Sequence, residues 1–390
     1  MEKNNEKTKF LEIKRNDNFM KNKTIRNHEI DFIRSLAMYG IIINHIITKN
    51  KIYFKYKKFK ELGFLNTLVF WHNNGFSFIS GFIGYKTNKY SNLFYLWICV
   101  FFYSVIIYFF YVYYKPQVIN DKFYNNLFPI IFGRYWFFSS YFGMYLFLPI
   151  INKGIAYLNK NEFTICLISI IYIFVVWHDI MNLNYDVFRT NKGYSVLWLL
   201  IFYITGAYFG KNKIILFGKK KLCFCLTNFL IYIFLSFLFY KINYCQINNL
   251  EGNYKFKYII KLRKLLSRNF DSNFKVIQSI SIIFCLLQLK FNEYFGKIIS
   301  FIGTLTFGVY LIHHNNYVKN DIMVNLFNNE KNNLSLLSVY KLFLTKSLLV
   351  FILCIIIDYL RNFLFNLLQI RKMCILLETK IFEIFNIFIH

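Results

Sequence analysis

The chain has 390 residues, of which 56% are hydrophobic, 22% aromatic and 17% charged, with three prolines and a formal net charge of +28. Uncharged apolar runs at 93–114, 163–177, 222–240 and 276–289 recur along it, the longest of membrane-spanning length; this excludes a string of soluble domains and the disordered, collagen-like and disulfide-scaffold classes. The charge would ordinarily suggest nucleic acid or an anionic surface, but Lys (38) outnumbers Arg (9) and Asn, Ile, Phe and Tyr are abundant, a pattern that A/T-rich codons also produce.

In chain order, a polar, lysine-rich segment at 1–29 carries no apolar core of signal-peptide type, so the first apolar stretch is expected to be an uncleaved signal anchor. Hydropathy then predicts spans at about 32–48, 67–85, 92–114, 135–151, 163–178, 195–210, 222–241, 274–290, 298–314 and 340–358. Gly and Ser within 76–85 and 301–312 suit close helix approach. Pro129 and Pro149 are expected to bracket an aromatic helix from Tyr135 to Leu148. The tail from Asp358 to the end alternates Arg and Lys with Phe, Leu and Ile at helical spacing, as an interfacial amphipathic helix does. The expected architecture is therefore all-α, a polytopic membrane protein with about ten transmembrane helices. It comprises the polar segment 1–29, a membrane domain at 30–360 and an amphipathic segment at 361–390. No Cys-x-x-Cys occurs among the eight cysteines, so neither a disulfide framework nor a metal site is expected. Basic residues divide evenly between the two sides of this topology, and the positive-inside rule is silent on orientation.

Ionisable groups within apolar spans are costly, which makes them functional candidates. The first span begins Glu29-Ile-Asp-Phe-Ile-Arg34 and continues to His45. Eleven residues separate Arg34 from His45; at about 100° per residue this is three turns plus about 20°, so both leave one helix face about 16 Å apart. Asp31, three residues before Arg34, can pair with it and suits the helix N-terminus. The bland alternative is a snorkelling Arg34 and a hydrogen-bonded packing His45. Asn73, Asn74, Ser77 and Ser80 in the second span either line a polar path or bond helix to helix. Trp136, Tyr141 and Tyr145 either stack on sugar faces or form an aromatic belt. His313 and His314 close the ninth span without carboxylate or thiolate partners, and no metal is assigned to them. Nucleotide-binding glycine loops and serine-nucleophile motifs are absent.

Together these segments resemble the acyltransferase-3 family, integral-membrane O-acyltransferases of bacterial surface polysaccharides. The resemblance rests on Glu29-Ile-Asp-Phe-Ile-Arg-Ser-Leu-Ala37 with His45, on Asn74-Gly-Phe-Ser-Phe-Ile-Ser-Gly-Phe-Ile-Gly84, on Tyr135-Trp-Phe-Phe with 141–149, and on Gly308-Val-Tyr-Leu-Ile-His313. It spans roughly residues 26 to 362 and implies ten transmembrane helices with both termini cytoplasmic. The implied reaction passes an acetyl group from cytosolic acetyl-CoA, a substrate rather than a bound cofactor, to a hydroxyl of an envelope or capsular glycan at the cell membrane. On this resemblance His45 and Arg34 are the catalytic pair. Asp31, Asn74, Ser80, Gly81, Trp136 and Tyr141 are the substrate-binding set, and Arg34, Lys86 and Lys89 face the donor. His313 is expected to be mainly structural. The chain departs from the family where an arginine-rich loop is common, carrying only Lys86 and Lys89.

A sugar hydroxyl becomes a nucleophile when a base takes its proton, for which a neutral imidazole is suited near pH 7; His45 is expected either to do this or to carry the acyl group itself. A rival from another class is an exporter of polysaccharide or lipid-linked sugar that uses the same path without acetyl-CoA. The basic residues form no single stripe, so no nucleic-acid partner is expected. Two clusters stand apart, 211–221 and the 241–275 loop with Lys255, Lys257, Lys261 and Lys264, the latter expected to gather an anionic glycan.

Overall fold

A computed structural model describes residues 27–49, 62–87, 89–119, 122–177, 186–212, 219–242, 270–323 and 335–389. The lysines of the 241–275 loop named above, residues 213–218 of the 211–221 cluster, and residues 1–26 of the polar segment lie outside the described residues. Twelve helices of eight residues or more are described: α1 His28–Lys49, α2 Leu62–Val69, α3 His72–Gly84, α4 Tyr90–Tyr114, α5 Trp136–Tyr157, α6 Lys160–Ile171, α7 Val196–Lys211, α8 Lys219–Tyr240, α9 Asn273–Leu287, α10 Glu293–His314, α11 Leu336–Leu367 and α12 Ile370–Ile389. No strand occurs among the described residues, and the protein is an all-α, multi-pass membrane protein.

Helices begin where the sequence supplies a side-chain oxygen for their unpaired N–H groups. Asn27 accepts from the backbone of Glu29 and Ile30 at the start of α1, where Glu29 and Asp31 also oppose the dipole. Asn159 and Glu162 form a capping box at α6, and Asn292 caps α10. Helix occupies all ten expected spans, yet among the described residues six helices are long and apolar enough to cross a membrane. The other four depart for visible reasons. The 67–85 segment breaks at Phe70–Trp71 into α2 and α3, α7 and α9 have only 16 and 15 residues, and α5 is rich in weakly apolar Tyr, Trp, Ser and Gly. Pro149 does not end α5 but lies inside it, and the helix runs on to Tyr157; a proline removes one N–H donor, a loss membrane helices absorb through neighbours.

Apolar side chains point outward as often as inward. Phe109 and Phe110 on α4, Leu230 and Phe234 on α8, and Ile352 and Leu353 on α11 are all exposed. A surface of that kind suits lipid, not water. Polar groups are turned inward, the reverse of a soluble bundle: Asp31, Asn74, Gln278, Ser347 and Asp358 are all buried.

The densest contact joins α3 and α7, which run parallel. Trp198 Nε1 donates to Asn74 Oδ1 (2.9 Å) near one end. Further along, Gly81 and Gly206 let the two backbones touch: a Cβ on Gly81 would meet the Tyr203 carbonyl oxygen at 1.8 Å, and one on Gly206 that of Phe78 at 1.9 Å. Gly206 and Gly210 stand at the small-x-x-x-small spacing of closely packed membrane helices.

α1 runs parallel to α10. His28 Nδ1 meets Ser300 Oγ (2.8 Å) at their starts, and His45 lies beside His313 and His314 at their ends. α11 returns antiparallel, bringing Asp358 beside Gly308. We call the end of the bundle where α1 starts the proximal end. There α11 stops at Leu367, and Gln369 in the left-handed region (φ 52°) turns the chain into α12. The residue-360 boundary expected from sequence thus falls inside α11. α12 docks on α4 through Glu378, whose carboxylate accepts from the backbone N–H of Tyr90 (2.6 Å) and Ser91 (3.1 Å). Replacing Glu378 with alanine is expected to loosen this docking by about 1 kcal/mol, the worth of a helix cap. Amide hydrogen exchange would report it as faster exchange over 370–389 with the core unchanged.

Candidate active site

A cavity of about 720 Å³ runs inside the bundle between α1, α3, α4, α5, α10, α11 and α12. Arg34 and His45 both line it, as their eleven-residue spacing requires of one helix face. Arg34 lies toward the proximal end, with Tyr95, Arg361 and Arg371 in the same lining. His45 lies toward the opposite end with His72, Asn73, Trp136, Tyr194, Phe270 and His314. Among the described residues the lining contains no aspartate and no glutamate to pair with an imidazolium.

His45 sits against two other imidazoles, its ring centroid 5.3 Å from that of His313 and 4.9 Å from that of His314. Its Nδ1 is buried without a hydrogen-bond partner among the described residues. His313 is fully buried, and its Nδ1 lies 2.6 Å from the Val309 carbonyl oxygen, which can only accept. The proton therefore resides on Nδ1 and leaves Nε2 as the acceptor. His314 stacks on Tyr310 at 5.0 Å. Among the described residues no group of three His, Cys, Asp or Glu could hold a metal ion; the histidines meet ring to ring.

Arg34 is about a third exposed on its side chain and pairs through Nη1 with Asp31 Oδ1 at 3.1 Å. Asp31 itself is buried behind α1 against α10, where a Cβ on Gly303 would come within 2.7 Å of it; it does not line the cavity. Glycine at 303 is thus what gives the carboxylate its place.

The remaining expected residues divide. Ser80, Trp136 and Tyr141 line the cavity, with Trp136 edge-on to Tyr194 at 4.5 Å. Asn74 does not: its amide donates to the Phe270 carbonyl and to Ser279 Oγ, both at 3.1 Å, and its oxygen accepts from Trp198, so it ties α3 to α7 and α9. Gly81 packs on the Tyr203 backbone and is also outside the lining. Lys86 and Lys89 are exposed beyond the end of α3 and do not line the cavity. Asn73 and His314, both noted in the sequence, line the cavity as well, and lining residues not singled out from sequence include His72, Tyr310, Arg361 and Arg371. One sequence signal was available for Arg361: Asp358-x-x-Arg361 repeats the spacing of Asp31-x-x-Arg34.

A search against protein families matches residues 27–360 to the acyltransferase-3 model, described as an acyltransferase domain. The chain belongs to the acyltransferase-3 family. The match takes in α1 through most of α11, and with them both Arg34 and His45. No curated protein and no solved structure matches the chain. As an acyltransferase embedded in a bilayer it acts on a donor and an acceptor, and the cavity extends from Arg34 to His45.

Proposed function

We propose that this acyltransferase moves an acetyl group from acetyl-CoA to a hydroxyl of an envelope or capsular glycan at the cell membrane, with both termini in the cytoplasm. The observation that carries this is the placement of Arg34 and His45 on one helix face inside one cavity, a cation toward the proximal end and an imidazole toward the other. The thioester enters from the proximal, cytoplasmic end, and the sugar hydroxyl approaches His45 from the opposite side. His45 takes the hydroxyl proton as the oxygen attacks the thioester carbonyl; the C–S bond breaks and the coenzyme thiolate leaves, to be protonated in turn. Alternatively the imidazole nitrogen attacks first and hands the acetyl group on. Trp136 and Tyr141 offer aromatic faces for the apolar face of a sugar ring.

Mass spectrometry of the envelope glycan from cells with and without the gene tests this. Loss of O-acetyl esters from an otherwise exported glycan supports it. Unchanged ester content with glycan retained inside the cell would instead identify an exporter. Arg34→Ala is expected to lower transfer by about 10- to 100-fold, the worth of one charge-assisted hydrogen bond, and Arg34→Lys to restore part of it. Initial rates of acetyl transfer in isolated membranes measure both.

A further inference from the structure

Arg361 and Arg371 follow residue 360, where the family match ends, and yet both line the cavity at its proximal end. Arg361 is buried to 7% exposure inside an apolar bundle, where an ion pair is costly and calls for a use. Its guanidinium is held on two edges. Nε and Nη2 donate to Asp358 Oδ1 (2.9 Å) and Oδ2 (2.8 Å), and Nη1 donates to Tyr95 Oη (2.8 Å). Asp358 is fully buried, also accepts from Tyr103 Oη (2.8 Å), and fits because position 308 is glycine; a Cβ there would lie 1.8 Å from its Oδ1. Thus Asp358 and Arg361 on α11 repeat Asp31 and Arg34 on α1, both carboxylates seated against α10 glycines and outside the lining, both guanidiniums in it.

Arg371 on α12 stands over the Tyr95 ring at 5.3 Å, so one tyrosine touches both arginines. Asn92, Asn362 and Asn366 line the same end. The proximal mouth therefore presents arginines and carboxamides; among the described residues no carboxylate lines it, and Asp358, which pairs with Arg361, lies outside the lining. Planar guanidiniums of this kind match phosphate oxygens in pairs and bind them more selectively than ammonium groups.

We propose that Arg361 and Arg371 form the site for the phosphate groups of a phosphorylated coenzyme donor, with Asp358 as the positioning residue that fixes Arg361. This rests on the proposed donor and replaces Lys86 and Lys89 as its phosphate contacts. It also gives α12 a role: pinned to α4 by Glu378, it carries Arg371 to the mouth.

The test uses the full chain in phosphatidylcholine nanodiscs and measures binding of coenzyme A and of pantetheine, which lacks the nucleotide phosphates. Wild type should bind coenzyme A at least tenfold more tightly than pantetheine. Arg371→Gln should weaken coenzyme A by about 10- to 100-fold, leave pantetheine unchanged, and be partly rescued by Arg371→Lys. Arg361→Gln strands a buried carboxylate, so the Asp358→Asn, Arg361→Gln double variant is used beside it and should show the same selective loss. In the transfer assay both sites should raise KM for acetyl-CoA more than they lower kcat. Equal affinity of wild type for the two ligands, or Arg371→Gln binding coenzyme A as wild type does, overturns the proposal. If phosphate-selective binding is seen and lost on mutation while wild type transfers no acetyl group, the proposed reaction fails and this site stands.

Discussion

Substituting His45 with alanine is expected to reduce acyl transfer by about 10²- to 10⁴-fold, the contribution of a positioned general base, with the protein still reaching the membrane. His45 combines two features that occur together at no other histidine of the lining. It stands on the same face of α1 as Arg34, and its buried Nδ1 has no hydrogen-bond partner among the described residues. His72 and His314 also line the cavity, but His72 Nδ1 is engaged with Asn73 at 2.9 Å and His314 stacks on Tyr310. Transfer above a tenth of wild type in His45→Ala would move the chemistry to one of those two. Donor alone, added to wild type, separates the two mechanisms: a burst of free coenzyme A equal to the amount of protein, lost in His45→Ala, marks a carrier, and no burst marks a base. His313→Ala should have a smaller effect than His45→Ala, because His313 is buried outside the lining and its Nδ1 is committed to Val309.

That His45 and Arg34 share a helix face was legible from spacing alone, because a helix repeats every 3.6 residues and an eleven-residue interval returns to the same face. The helical segments were legible for a similar reason, since hydropathy reads the cost of burying charge in lipid. Polar and small residues were harder. Asn74 and Ser80 differ by six positions on one helix, and only the neighbours decide that the first bonds to Trp198, Phe270 and Ser279 while the second faces the cavity. The proximal arginines were obscured by charge itself. A hydropathy window stops at Asp358 and Arg361 and reads them as the start of a polar tail. What it cannot register is that a carboxylate one turn before an arginine cancels most of its charge and lets both enter the bundle. Asp31 with Arg34 made the same point at the other end of the chain, so the repeated spacing was the informative sign.

Replacing Gly206 with alanine is expected to remove most of the folded protein, a large effect for one methyl group. The reason is what the methyl group would meet. At most glycines an added Cβ presses on a side chain that can turn aside, at a cost of about 1–3 kcal/mol. At Gly206 it would lie 1.9 Å from the Phe78 backbone oxygen, 2.8 Å from its carbonyl carbon and 3.0 Å from the Phe82 nitrogen. None of these atoms moves unless α3 as a whole moves away from α7. That displacement would part Trp198 from Asn74, and would shift His72, Asn73 and Ser80 out of the cavity wall. Gly81→Ala should behave alike, its Cβ 1.8 Å from the Tyr203 oxygen, whereas Gly154→Ala on α5, with nothing within 4 Å, should leave the protein intact or stabilise it by up to about 1 kcal/mol. Size-exclusion profiles and Tm of the detergent-extracted proteins distinguish the three. Wild-type behaviour of Gly206→Ala would mean that α3 and α7 do not meet backbone to backbone, and α3 would then lose its place in the wall of the cavity that holds His45.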